Sequence, residues 1–222
     1  LDALHSSCRI YLRTEKHPIV NKLKETIKYT SLDYFYDSEE NFEDVYYKIS
    51  KHIVELAKEG DLVYAVPGHP RVAEKTVGII ESMAKENNIE VETIASMSFV
   101  DAMFNYLAVD PADGFKLIDA FEIENSYIDT NTSMIITQIY DHFIASNIKL
   151  KLMEYYDYDQ EVCIVNGAGV KNLESKKYVP LYELDRSENL FNYLTSLYIP
   201  KSSKKMYNTV HDLEAIMNTL RG

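Results

Sequence analysis

The chain has 222 residues, 46% of them apolar, which is enough for two modest domains with a substantial core. Its net charge of −12 repels phosphate backbones and argues against nonspecific nucleic-acid binding; a polyanionic ligand would need a local basic patch. No segment approaches the ~20 apolar residues that span a bilayer.

The start, Leu1-Asp2-Ala3-Leu4-His5, lacks the basic and apolar regions of a signal peptide, and with no initiator Met the chain is expected to begin inside a longer product. Cys8 and Cys163 have no metal-ligand spacing and form no disulfide framework, so both are expected to be buried thiols in a reducing cytoplasm. Eighteen tyrosines and no tryptophan suggest a sheet-rich interior with polar tips.

In chain order, residues 1–8 read as the tail of a helix and 9–13 as a short buried strand. Phe42, Val45, Tyr46, Ile49, Ile53 and Leu56 recur at helical spacing before the Gly60-Asp61 turn. Residues 62–66 form an apolar run of strand length, broken by Pro67-Gly68-His69-Pro70, and a helical pattern resumes at Val72, Ala73, Thr76, Val77, Ile79, Ile80 and Met83. Residues 89–94 alternate as a strand. Ser98 then suits an N-cap, with Asp101 as the acidic half of a capping box, for a helix through Phe99, Ala102, Met103 and Tyr106. Helices alternating with strands in this way predict an α/β fold with a parallel sheet.

Asp110-Pro111-Ala112-Asp113-Gly114 breaks that rhythm and places a domain boundary at 112/113. Beyond it, 115–118, 134–139, 162–165 and 178–182 read as strands, 144–153 as a helix, and 185–197 as a helix running into an extended 197–200. The alternation is less regular here, so a mixed sheet is predicted for 113–200. Residues 201–205 form a polar, basic linker, and 210–220 begin a new amphipathic helix.

The chemistry-bearing residues leave alternatives open. His5, His17, His52, His69, His142 and His211 show no zinc spacing, and no P-loop, GxGxxG or GxSxG is present. The carboxylate pairs Glu40/Glu43 and Glu154/Asp157 fall in different predicted domains and read as solvated helix charges rather than a magnesium site. His69 lies in a loop at a strand's carboxyl end, where open parallel sheets bind ligands; it is either structural or a group that donates to a ligand or accepts its proton near neutrality. Asn166-Gly167-Ala168-Gly169 is either a plain turn or a backbone cradle. Arg13, Lys16 and His17 form either a solvated loop or a site for substrate carboxylates.

Several stretches, taken in order, resemble the tetrapyrrole (corrin/porphyrin) methylase family. They are Tyr11-Leu12-Arg13-Thr14 with His17-Pro18, Asp61 to Pro70 (DLVYAVPGHP) with Val72-Ala73-Glu74, Ser98-Phe99-Val100-Asp101-Ala102, and Asp110-Pro111 with Gly114-Phe115. Further on come Gln138-Ile139-Tyr140-Asp141, Lys149-Leu150 with Leu152-Met153-Glu154, Val179-Pro180-Leu181-Tyr182-Glu183-Leu184-Asp185-Arg186, and Leu194-Thr195-Ser196. The nearest likeness is the YabN-like branch, in which a methylase-like domain is fused to a MazG-type nucleotide pyrophosphohydrolase. Asp212 to Met217 with Leu220-Arg221-Gly222 resembles the opening of that second domain.

The resemblance implies a two-domain fold: a parallel-sheet α/β domain (1–112) and a mixed-sheet α/β domain (113–200), with a cleft between them, in a cytoplasmic homodimer. Residues 201–222 would be the linker and the start of a MazG-type domain acting in cis. It implies S-adenosylmethionine as cofactor, no metal, and a small-molecule methyl acceptor of tetrapyrrole type. Residue by residue, it carries cofactor binding to Pro67, Gly68, His69, Ser98, Phe99, Ala102, Gln138, Asn166 and Gly167. Arg13, Lys16, His17 and Arg71 would face an anionic acceptor, and His69 is the one candidate for a catalytic proton acceptor. The sequence departs from the family in two places. His69 replaces the acid of the family's Gly-Asp-Pro loop, and the family's first strand with its GxGPGD-like turn would have to precede Leu1. That second departure keeps another reading open, a catalytically silent methylase-like module that dimerises or regulates an attached pyrophosphohydrolase.

Overall fold

The computed structural model describes residues 2–7, 9–38, 41–186 and 188–202; Cys8, His211 and the predicted helix at 210–220 lie outside them. The chain divides into two units, with the division between Ala102 and Met103.

In the first unit, α1 (Asp2–Ser6) leads into β1 (Ile10–Leu12), followed by α2 (Val20–Leu23), β2 (Thr30–Ser31) and α3 (Tyr34–Ser38). Then come α4 (Phe42–Ala57), β3 (Val63–Ala65), α5 (Lys75–Glu86) and α6 (Phe99–Leu107), the last crossing the division. The strands lie in the order β2-β1-β3, all parallel, with Tyr11 opposite Thr30 and Tyr64. Ile10 and Leu12 bury their side chains, as every second residue of a strand facing a core must. Asn41 caps α4 by accepting the Asp44 N–H at 2.9 Å. Val45, Ile49 and Ile53, spaced by four, then turn one face of α4 inward against Leu32 and Ile80.

The predicted capping box is present. Ser98 Oγ accepts the Val100 N–H at 2.9 Å, and Asp101 Oδ2 accepts the Ser98 N–H at 2.9 Å. Ser98→Ala should therefore destabilise the protein by about 1 kcal/mol, read as a lower urea midpoint with an unchanged slope.

Three local expectations need correction. The helix after the Pro/Gly loop begins at Lys75, not Val72, because Ala73 takes a left-handed φ of 52° and Glu74 serves as the cap. Residues 89–94 carry no strand pairing among the described residues. A strand needs a neighbour for its backbone groups, and here Val91 and Ile94 stay exposed while Thr93 Oγ1 donates to Glu81 at 2.9 Å. Among the described tyrosines only Tyr156 and Tyr198 are buried, so the tyrosine content marks the surface more than the core.

The second unit opens with a 3-10 turn, Pro111–Asp113, capped by Asp110. It continues with β4 (Phe115–Asp119), β5 (Ser133–Thr137), α7 (His142–Leu152), β6 (Glu161–Asn166), β7 (Ser175–Pro180) and β8 (Thr195–Ile199). The sheet order is β4-β5-β8-β6-β7; β4 and β5 are parallel, and the remaining pairs antiparallel. This is the expected mixed sheet. The long apolar runs of β5 and β8 are buried throughout, and Ala145, Ile148 and Leu152 of α7 join Met134, Ile136, Ile164 and Leu197 in one core. Cys163, in β6, is buried as expected, and burial pushes its thiol up.

The helix expected over 185–197 is replaced by 3-10 turns at Leu181–Arg186 and Glu188–Leu190 and by the strand β8. Asn192 and Thr195 decide the matter. The Asn192 side chain accepts the Leu194 N–H at 2.8 Å, and Thr195 Oγ1 accepts the Asn192 N–H at 2.8 Å. Such local side-chain bonds compete with the helical ladder and start the strand instead.

Candidate functional site

Loops that follow parallel strands gather at one edge of a sheet. In the first unit these are residues 13–17 after β1, 32–33 after β2 and 66–74 after β3. Gly68 has φ +80°, a backbone conformation that glycine adopts without steric cost; a Cβ there would meet Met97 O at 3.8 Å. His69 Nδ1 accepts the Arg71 N–H at 3.0 Å, which leaves the proton of the neutral ring on Nε2. His69 O accepts the Val72 N–H at 3.1 Å, closing a tight turn.

The basic residues expected to face an acceptor are differently engaged. Arg71 forms a two-pronged bridge to Glu81, both contacts 2.6 Å, and also reaches Thr93. Arg13 Nε lies 2.9 Å from Glu74 Oε2, an ion-pair contact without hydrogen-bond alignment, and Nη1 donates to Tyr36 Oη at 2.8 Å. Burial works first against the Arg13 charge, yet Glu74, then Tyr36 and Tyr64, hold the guanidinium above its ordinary value. Burial, with the Arg13 charge second, pushes the neighbouring His17 imidazole down. Lys16 is exposed.

Sequence reasoning missed two carboxylates at this edge. Glu74 Oε1 accepts the Thr76 N–H at 3.2 Å and its hydroxyl at 2.6 Å. Asp33 accepts from Thr14 Oγ1 (2.6 Å), Ser31 Oγ (2.6 Å) and the Glu15 N–H (2.7 Å), stapling the loops after β1 and β2. Asp33 belongs to no recognisable motif, and Glu74 enters only as the last residue of the Val72-Ala73-Glu74 stretch. Ser31 and Thr76 are near in sequence, but Thr14, the Glu15 N–H and Arg13 are brought in by tertiary folding.

Burial opposes the Asp33 charge, but the Glu15 N–H, the two hydroxyls and Lys16 outweigh it and hold the carboxyl below its ordinary 3.8. A depressed folded-state value stabilises the fold above pH 3.8, and that contribution is lost as the pH falls through the lowered value. Asp33→Asn should therefore lower the melting temperature at neutral pH, and the gap to the unmodified protein should close as both are acidified below 3.8.

In the second unit, β5 and β6 each run antiparallel to β8, so β4, β5 and β6 point the same way and their carboxyl ends share an edge. Gln138 follows β5 in a left-handed conformation, φ 66°. Its amide is fixed on both sides: Nε2 donates to Asp119 Oδ2 at 2.6 Å, and Oε1 accepts from Tyr140 Oη at 2.7 Å. Asn166, at the end of β6, is buried and accepts from Thr195 Oγ1 at 2.6 Å and Asn192 Nδ2 at 3.1 Å. Gly167 has φ +53°, and a Cβ there would lie 3.1 Å from Leu173 O.

Pro67, Gly68 and His69 thus share the loop after β3, while Ser98, Phe99 and Ala102 share the first turn of α6 and its cap. Gln138, Asn166 and Gly167 share one edge of the second unit's sheet.

Comparison with known proteins agrees with this architecture. The profile of the tetrapyrrole (corrin/porphyrin) methylases matches residues 1–185, and the chain belongs to that family. The protein YabN of Bacillus subtilis (strain 168), itself uncharacterised, is 42% identical over 216 residues, 96% of this chain. The chain spans only 44% of that relative's length. Uroporphyrin-III C-methyltransferase from Thermus thermophilus superimposes with a TM-score of 0.69 at 14% identity, covering 90% of this chain and 85% of the other. The structure of that methyltransferase complexed with S-adenosylhomocysteine gives 0.63, also at 14% identity, over 90% and 88% of the two chains. At such identities the structural likeness establishes the fold.

Proposed function

We propose that this chain is an S-adenosylmethionine-dependent methyltransferase domain acting on a small, tetrapyrrole-like acceptor, in a dimeric cytoplasmic protein that also carries a MazG-type pyrophosphohydrolase. Family membership and methyltransferase neighbours support the methyltransferase-like class. The observation that carries the cofactor reading is the loop after β3. It combines the glycine conformation at Gly68, where a Cβ would meet Met97 O at 3.8 Å, with a His69 Nε2–H that has no hydrogen-bond partner among the described residues.

S-adenosylmethionine supplies an electrophilic methyl on a sulfonium, so the reaction needs no protein nucleophile. The protein's tasks are alignment and exclusion of water. Pro67, Gly68 and His69 offer backbone groups and one imidazole N–H; Ser98, Phe99 and Ala102 line the start of α6. The backbone at Gln138 and the Asn166-Gly167 turn, in the second unit, are also assigned to cofactor binding. His69 Nε2–H is a donor where the family places an acid, so it suits an acceptor atom of the ligand, such as a carboxylate oxygen.

Calorimetric titration with S-adenosylhomocysteine should give a micromolar Kd, weakened at least tenfold by His69→Asp, which replaces the donor with a charged acceptor. No heat of binding, with the chain folded, would sink the cofactor reading.

A second reading, a silent regulatory module for the attached pyrophosphohydrolase, draws on one specific observation. Glu74 engages the charge of Arg13 and Glu81 that of Arg71, so two of the basic groups assigned to an anionic acceptor already have anionic partners. Nucleotide hydrolysis by the longer protein with and without residues 1–200 discriminates: a rate and oligomeric state unchanged by the deletion would remove this reading.

A further inference from the structure

The loop after β3 does not hold its shape alone. From the core outward, Ser50 Oγ of α4 donates to Thr76 O at 3.2 Å, and Tyr64 Oη of β3 meets Thr76 Oγ1 at 2.8 Å. Thr76 donates through both its N–H and its hydroxyl to Glu74 Oε1. The other oxygen, Oε2, lies against Arg13 Nε, and Arg13 Nη1 donates to Tyr36 Oη. The Arg13 N–H donates to Ala65 O at 2.9 Å, where the chain leaves β3. One polar chain thus joins α4, β3, α5, the loop after β1 and α3. Glu74 is its crossing point, with only 6% of its side chain exposed.

Glu74 also ends the 67–74 loop. Ala73 before it sits at φ 52°, a left-handed conformation that a non-glycine residue holds only where its surroundings demand it. The buried carboxylate supplies that demand. It is fixed on one side by the α5 cap and on the other by a guanidinium, so the chain must turn at Ala73 to reach it.

We propose that the Arg13–Glu74 pair is a latch that sets the conformation of residues 67–73, making Glu74 and Arg13 positioning residues for the ligand bound there. The proposal rests on the cofactor reading of that loop. It reassigns Arg13: its charge serves the protein's own loop before any acceptor.

The test is the double variant Arg13→Met/Glu74→Gln in the full chain. The introduced glutamine keeps the size and the acceptor for Thr76, while both charges are removed together, so neither is left buried alone. Far-UV circular dichroism and melting establish that the variant is folded. Two readouts then follow: the Kd for S-adenosylhomocysteine by calorimetry, and hydrogen exchange of the Gly68, His69, Arg71 and Val72 amides without ligand. The latch predicts at least tenfold weaker binding and at least tenfold faster exchange in a folded protein. The single variant Arg13→Lys should preserve neither fully, because an ammonium lacks the fork that reaches Glu74 and Tyr36 together. Unchanged exchange overturns the latch, and so does unchanged affinity with the variant folded. If the unmodified chain binds no S-adenosylhomocysteine, the cofactor reading fails by itself, and the exchange comparison still decides whether the pair sets the loop.

Discussion

Glu74→Ala is expected to destabilise the first unit by about 4–5 kcal/mol, seen as a lower urea midpoint in far-UV circular dichroism. Removing one partner of a buried ion pair leaves the other uncompensated, which typically costs about 3–5 kcal/mol. Here the Arg13 side chain retains 22% exposure, so water relieves part of that penalty and the lower half of the range applies. Loss of the α5 cap adds about 1 kcal/mol. Glu74→Gln keeps the cap and should lie between the two proteins. A Glu74→Ala variant as stable as the unmodified chain would mean that the Arg13 charge finds solvent without Glu74, and the polar chain through Glu74 would then be incidental.

The same carboxylate shows where the sequence stops being informative. The strand at 62–66 and the Pro67-Gly68 break were legible, because an apolar run and two residues with special backbone preferences announce themselves locally. The start of α5 was not. Val72 and Ala73 continue the apolar rhythm, and a glutamate is not a usual cap; only its bonds to Thr76 and Arg13, a partner about sixty residues away, end the loop there. Ser98 was legible for the opposite reason, since its partner Asp101 lies three residues on.

Strands follow the same division. In β5 and β6 the apolar runs are long and both faces are buried, so composition gives them away. Thr30 and Ser31 form a two-residue strand of small polar residues, with Leu32 beside them fully buried, and no period can be read from so short an element. Residues 89–94 have the alternation of a strand and no described partner to pair with, so local pattern overstated the case. At the site, glycines and His69 were visible as residue types, but the engagement of Arg13 and Arg71 by Glu74 and Glu81 was not. Each partner is an ordinary charged residue, at the cap of α5 or within it, brought in by the fold.

Gly167→Val is the sharpest expected loss in the second unit. At φ +53° a β-branched residue occupies the left-handed region at a cost of about 1–2 kcal/mol. A Cβ at this position would lie 3.1 Å from Leu173 O and 3.3 Å from Leu173 C, both backbone atoms that cannot swing aside like a side-chain tip. Forcing extra atoms into such a place costs about 1–3 kcal/mol more, so about 2–5 kcal/mol is expected in all. The strain falls on a turn whose Gly167 N–H donates to Leu194 O at 3.2 Å and whose Gly167 O accepts from the Val170 N–H at 2.8 Å. Relief by opening that turn would draw Asn166 away from Thr195 and Asn192. Loss of S-adenosylhomocysteine binding should therefore accompany the fall in melting temperature. Gly68→Ala is the contrasting variant: its Cβ would find Met97 O at an ordinary 3.8 Å, so backbone strain alone applies and the stability loss should be about 1–2 kcal/mol. If Gly167→Val melts no lower than Gly68→Ala, the Leu173 backbone yields to the new side chain, and the Asn166-Gly167 turn is too pliable to fix a ligand.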